Sequence, residues 1–270
     1  MTRRAIRGAS CLLLTLAVPA VAAELTVDTG GPRIFTTAEL LARPDAATIT
    51  VPDDATYRRE MTYRAVPLRA LIEGAPPAGK DVSVIAADGF VTNLPAALVR
   101  PPDAGEAAPW LAIEPPDAPW PEADGKATGP FYLVWRDHAA SGILREQWPF
   151  AVVRIGLVPD AAARWPQLAV GAGVSEGSPV RAGQALVMSQ CLVCHPVDGA
   201  GDAAVGPDLD RPRSPTEYFQ PWALQAYIRD PAALRSWSGM EMPGFPPDVL
   251  TDADIDAIVA YLGYLAERRK

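Results

Sequence analysis

Apolar residues follow two regimes along this chain. Over residues 25–157 they come in short β-branched and aromatic runs bounded by Pro, Gly and Asp: ATITV (47–51), VSVIAA (82–87), FYLVW (131–135) and FAVVRIGL (150–157). Such runs predict strands. From residue 180 onward apolar positions recur every three or four residues, which predicts helices over 180–190, 215–230 and 252–270. In the last of these, Ile255, Ile258, Val259, Leu262 and Leu265 share one face, and Thr251 or Asp252 is placed to cap the N-terminus. Inside the strand-rich half, VPLRALIEGA (66–75) sets Leu68, Leu71 and Ile72 at helical spacing, predicting a short helix opened after Pro67 and closed around Gly74. The Pro-dense stretch 101–121 predicts a long surface loop. Residues 158–178 lack any period and predict a linker, with Trp165 pinning part of it to a domain. The expected fold is therefore two-domain: a mixed α+β domain over 24–157, a linker over 158–178 and an all-α domain over 179–270. No internal repeat is visible.

A length of 270 residues suits two cores, since domains typically hold about 100–150 residues. The hydrophobic share of 49% beside 21% charged residues is ordinary globular usage, and 29 prolines with 21 glycines fit many turns. The opening residues change the picture more. MTRRAIRGASCLLLTLAVPAVAA has three arginines, an apolar run and a small-residue exit, the anatomy of a signal peptide over 1–23. Its apolar run is short for a membrane span, so a cleaved export signal is expected over a retained anchor. Loss of Arg3, Arg4 and Arg7 takes the formal charge from −8 to −11. An acidic exported chain makes nucleic acid an unsuitable partner. Cys11 leaves with the signal, and Cys191 and Cys194 are too few to staple a fold in an oxidising compartment.

Both remaining cysteines lie in CLVCHP (191–196), next to His195. A Cys-x-x-Cys-His pentad is the attachment signature of a c-type haem. Two thiols at this spacing reach the two vinyl groups of one porphyrin, and the adjacent imidazole reaches the iron. Two other uses stay open on the residues alone. A zinc site needs four ligands, and only the distant His138 joins the set; a thioredoxin-like redox pair needs a βαβ context that the flanking helices do not supply. For the iron's second axial position, Met242 in GMEMPGF leads, because the following proline breaks regular structure and lets an extended loop present the sulfur. Met240 is a lesser alternative, and His138 is a third if the other domain lies over the haem.

Residues 180–266 resemble a class I c-type cytochrome domain: a helix before CLVCH, GPDL at 206–209, MPGF at 242–245 and a C-terminal amphipathic helix. The resemblance implies one covalent haem c held by Cys191 and Cys194, with His195 as proximal and Met242 as distal ligand. It also implies that the Pro207 carbonyl orients the imidazole, and that Gly183 is where the first and last helices cross closely, beside Tyr261. Iron with both axial positions filled implies electron transfer rather than catalysis.

Residues 57–157 resemble the molybdopterin-binding fold of the sulfite oxidase type, through YRAVPLRALIEGA (63–75), AADGFVTNLP (86–95), GPFYLVW (129–135) and EQWPFAVVRIGL (146–157). In that family a cysteine thiolate ligates molybdenum, yet no cysteine lies between Glu24 and Gln190. The expectation is a scaffold without molybdopterin. Arg136, Asp137 and His138 are expected in a solvated loop, and Trp110, Trp120, Trp135 and Trp148 in an aromatic core or groove. The whole then reads as a periplasmic monohaem electron carrier with redox-protein partners. It is expected to be no enzyme itself, with the first domain serving for docking or as a scaffold. A molybdenum oxidoreductase with a fused haem exit domain and a haem-based redox or gas sensor are the alternatives.

Overall fold

A computed structural model describes residues 23–99, 107–123, 125–136, 143–203, 205–240 and 242–269. Residues 1–22 of the expected signal peptide, Asp137 and His138 lie outside the described residues. The N-terminal part is β-rich, with two sheets; the C-terminal part is helical.

The first sheet has five strands in the order β2-β1-β9-β5-β6, from β1 (Glu24–Asp28), β2 (Pro32–Thr36), β5 (Lys80–Ala86), β6 (Val91–Leu94) and β9 (Val152–Pro159). Antiparallel pairing dominates, and only β1 runs parallel to β9. The second sheet orders β3 (Ala47–Val51), β4 (Met61–Pro67), β7 (Ala108–Ile113) and β8 (Phe131–Arg136), all antiparallel. Alternation dictates the inward faces: Leu25, Val27, Val82, Val84 and Ile155 from one sheet join Ile49, Val51, Tyr63, Leu111 and Leu133 from the other in one core. Helix α1 (Thr37–Leu41) opens on a Thr36/Glu39 capping box, and α2 (Leu68–Leu71) follows Pro67 as its pattern predicts, with Gly74 beyond it at φ +129.

The Pro-dense stretch is not one surface loop. Leu111, Ala112 and Ile113 are fully buried in β7, which pairs with both β4 and β8. The run WLAI is a strand whose signal the surrounding prolines mask; Pro109, near the strand's start, lies in the ladder opposite Trp135. The expected aromatic core is present. Trp135 and Trp148 are buried, and Trp120 meets Tyr63 edge-on at 5.2 Å. The fully buried Asp54 accepts from the phenols of Tyr63 (2.8 Å) and Tyr132 (3.1 Å) and from the N–H groups of Thr56 and Tyr57, so this polar cluster is satisfied internally.

Residues 158–178 are structured along much of their length. β9 runs to Pro159, α3 (Ala161–Arg164) follows, and Trp165 and Leu168 enter the helical core. The Leu168 carbonyl accepts from the Tyr261 phenol (2.6 Å) and the Gln184 amide (2.9 Å). Of the three predicted helices, the first is α4 (Pro179–Leu186) continued by a π-turn over Val187–Cys191, and the second is interrupted. Pro221 restarts it as α5 (Pro221–Arg229), followed by the short α6 (Pro231–Leu234). The third is α7 (Asp252–Arg268), capped by Thr251. Its buried stripe of Ile255, Ile258, Leu262 and Leu265 matches the predicted face, and the fifth member, Val259, is partly buried against the same core.

Candidate functional site

The π-turn delivers CLVCH as a tight coil. The N–H groups of Cys194 (3.1 Å) and His195 (2.8 Å) both donate to the Cys191 carbonyl, which gathers two thiols and the imidazole at one helix end. His195 Nδ1–H donates to the Pro207 carbonyl at 2.7 Å, leaving Nε2 for a metal. Gly206 backs the ring so closely that a Cβ there would lie 2.2 Å from His195 Cε1. The Gly206 N–H also bonds the Cys194 carbonyl (2.9 Å), fastening GPDL to the pentad. The role of Gly206 was readable in the GPDL segment only as the residue before Pro207.

Burial pushes the Cys191 thiol up to about 12 and the Cys194 thiol up to about 11. Both cysteines are unpaired with each other. Thiols held this high are poor thiolates, which disfavours a thioredoxin-like pair, and among the described residues no three His, Cys, Asp or Glu are grouped as a zinc site requires.

Asp208 ties the following loop together. Its carboxylate accepts from the N–H groups of Asp198, Gly199, Asp210 and Arg211 at 2.7–3.1 Å. Burial alone would raise this carboxyl, but those four donors outweigh it and hold it below its ordinary value. A depressed carboxyl contributes stability above the unfolded value and loses it as pH falls through the folded one. Asp208→Asn is expected to cost about 1–3 kcal/mol at neutral pH. The deficit should narrow in acid, below about pH 3.9, as followed by denaturant melts across pH.

Met242 is partly buried against the helical core, and the segment after it is anchored. The Phe245 N–H donates to the Arg229 carbonyl (3.0 Å), and the Phe245 ring is buried. A Cβ on Gly244 would meet the same carbonyl at 2.9 Å. The Arg229 guanidinium returns bonds to the carbonyls of Phe245 and Leu250 and to Asp252. Met240 is also partly buried, its N–H donating to Trp237 (3.3 Å). Gly183 and Tyr261 lie together where α4 crosses α7: a Cβ on Gly183 would stand 1.9 Å from the Ala257 carbonyl oxygen and 2.8 Å from Tyr261 Cβ.

The residues fit a haem. Five of the seven exposed large apolar side chains among the described residues, Val205, Tyr218, Trp222, Leu234 and Trp237, lie between His195 and Met242. They give the segment between the candidate ligands exposed apolar surface of the kind a porphyrin would cover, and the His195 imidazole has Nε2 left for a metal. A molybdenum–pterin group finds no such match in the N-terminal part. No thiol exists over residues 24–190, and among the described residues no three His, Cys, Asp or Glu are grouped to hold a metal ion.

A helical unit built around Cys-x-x-Cys-His with a carbonyl-oriented imidazole defines a haem-attaching electron-transfer domain. Residues 180–266 match the family model described as Cytochrome c, so the chain contains a cytochrome c domain, which implies covalent haem c, haem-based electron transfer and redox partners. The match does not extend to the two-sheet N-terminal domain. No curated protein matches the chain. No described helix is long and apolar enough to cross a membrane.

Proposed function

We propose that this protein is an exported, periplasmic monohaem cytochrome c that passes single electrons between redox proteins. Cys191 and Cys194 form the thioethers, and His195 and Met242 ligate the iron. When bound, the haem supplies a one-electron iron(III)/iron(II) couple. The protein's part is to hold His195 Nδ1–H on Pro207, to keep Met242 on the loop fastened through Phe245 and Arg229, and to pack the cofactor's faces. The observation that carries this reading is the 2.7 Å bond from His195 to Pro207, directly after the paired thiols. It orients a neutral imidazole and raises its basicity toward iron.

The N-terminal two-sheet domain serves as a docking or scaffold unit without molybdenum. Its molybdopterin-like segments lack the ligating thiol, while its Asp54 cluster is closed on itself. The same domain is tied to the cytochrome domain by Asn93, whose amide donates to Asp202 at 3.2 Å; Arg164, on α3 between the two, bonds the same carboxylate.

Electron transfer and gas sensing differ in how firmly Met242 is held. The wild type is expected to show the weak red-edge band of Met-to-iron(III) bonding and to bind carbon monoxide slowly when reduced. Met242→Ala should abolish the band and admit carbon monoxide rapidly, whereas Met240→Ala should leave both unchanged. Rapid carbon monoxide binding by the wild type would support a sensor instead, and loss of the band in Met240→Ala alone would reassign the ligand.

A further inference from the structure

The haem-attachment segment does not face solvent on all sides. β6 is an edge strand of the five-stranded sheet, and the N–H of its Val91 donates across the domain boundary to the carbonyl of Val193, between the two cysteines, at 3.2 Å. Leu192 and Val193 are both buried, and so is Val91. An open edge N–H is an unfilled donor, and the Cys-x-x-Cys loop fills this one of the other domain's edge. Asp202, further along the same loop region, accepts from the Asn93 amide at 3.2 Å and from Arg164.

Glu146 stands at this boundary, on the turn Arg145–Gln147 just before the buried Trp148. It is one of the charges that act on both Cys191 and Cys194. Its Oε2 is shielded from water and has no hydrogen-bond partner among the described residues. Asn93 Oδ1 on β6, the strand that packs against this turn, and Gln190 Oε1, next to Cys191 in sequence, share that condition. Burial raises the Glu146 carboxyl, with its own backbone N–H and Arg145 acting in the opposite direction. A buried carboxylate with one oxygen unpaired is costly unless a nearby positive charge compensates it. An oxidised haem iron carries one positive charge more than a reduced one.

Resting on the haem reading above, we propose that Glu146 is a positioning residue through which the N-terminal domain tunes the cytochrome. Its carboxylate, held at the thioether side of the haem, stabilises the oxidised iron and lowers the reduction potential. The N-terminal domain is then part of the haem's electrostatic environment as well as a docking unit. Asp88 acts on Cys194 more strongly than Glu146 does and does not act on Cys191; it is exposed on the β5–β6 turn, where water and salt screen its charge.

The test compares full-length holoproteins by potentiometric titration well above the carboxyl range, after haem content is equalised by pyridine haemochrome. At the ambient potential that leaves the wild type half reduced, Glu146→Gln should show a reduced-to-oxidised ratio at least threefold higher; a tenfold change corresponds to about 59 mV for one electron. Glu146→Asp should recover most of the wild-type ratio, and Asp88→Asn should stay within twofold of it. An unchanged ratio in Glu146→Gln with full haem, or an equal rise in Asp88→Asn, overturns this proposal and leaves the haem reading standing. Absence of covalent haem from the wild type removes the haem reading itself.

Discussion

Replacing both Cys191 and Cys194 by serine is expected to leave no haem attached after denaturation, a complete loss visible as the absence of a haem-stained band in a denaturing gel. Each single change should leave one thioether and a shifted haemochrome maximum. The reason is geometric. Both thiols sit on one turn whose N–H groups converge on the Cys191 carbonyl, with His195 fixed by Pro207 immediately beyond. The remaining cysteine of the chain, Cys11, lies in the expected signal and offers no substitute. Haem attached to the double variant would mean that another residue forms the bond.

The second large effect is expected at Gly183. A Cβ there would come within 1.9 Å of the Ala257 carbonyl oxygen, a backbone atom that moves only if α7 moves. Alanine favours helix over glycine by about 1 kcal/mol, so local propensity alone predicts stabilisation. The crossing reverses the sign. Parting α4 from α7 disturbs the packing of Tyr261 and strains its 2.6 Å bond to Leu168. Gly183→Ala should therefore destabilise the haem domain by about 3 kcal/mol or more, lowering its Tm by roughly 10–20 °C. Calorimetry of the variant, with its haem content, checks this. A Tm equal to or above that of the wild type would mean that the helices do not meet at this position.

What the sequence disclosed follows the range of each interaction. The haem pentad is a contiguous signal, because one coil must carry both thiols and the imidazole. Helix α7 was legible because its stripe of Ile255, Ile258, Leu262 and Leu265 repeats within one element. Strands β3, β5, β8 and β9 announced themselves by β-branched and aromatic residues. β7 did not, since prolines and small residues surround four apolar positions and its burial comes from pairing with β4 and β8. The close backing of His195 by Gly206 needed the loop to return to the ring, which no spacing rule predicts. Glu146 lies far from Cys191 in sequence, and the contact of β6 with the pentad loop is a single tertiary hydrogen bond without a local pattern. The resemblance of the first domain to a molybdopterin-binding fold is still an expectation: the structure gives a β-rich domain of two sheets, and the family match stops short of it.

The central claim is tested most directly by the pyridine haemochrome of the purified chain, made in cells that mature c-type cytochromes, combined with iron and molybdenum analysis of the same sample. One covalent haem c and one iron per chain, with no stoichiometric molybdenum, is the predicted result. A folded chain without covalent haem would contradict the account, and molybdenum at one per chain would contradict its reading of the N-terminal domain.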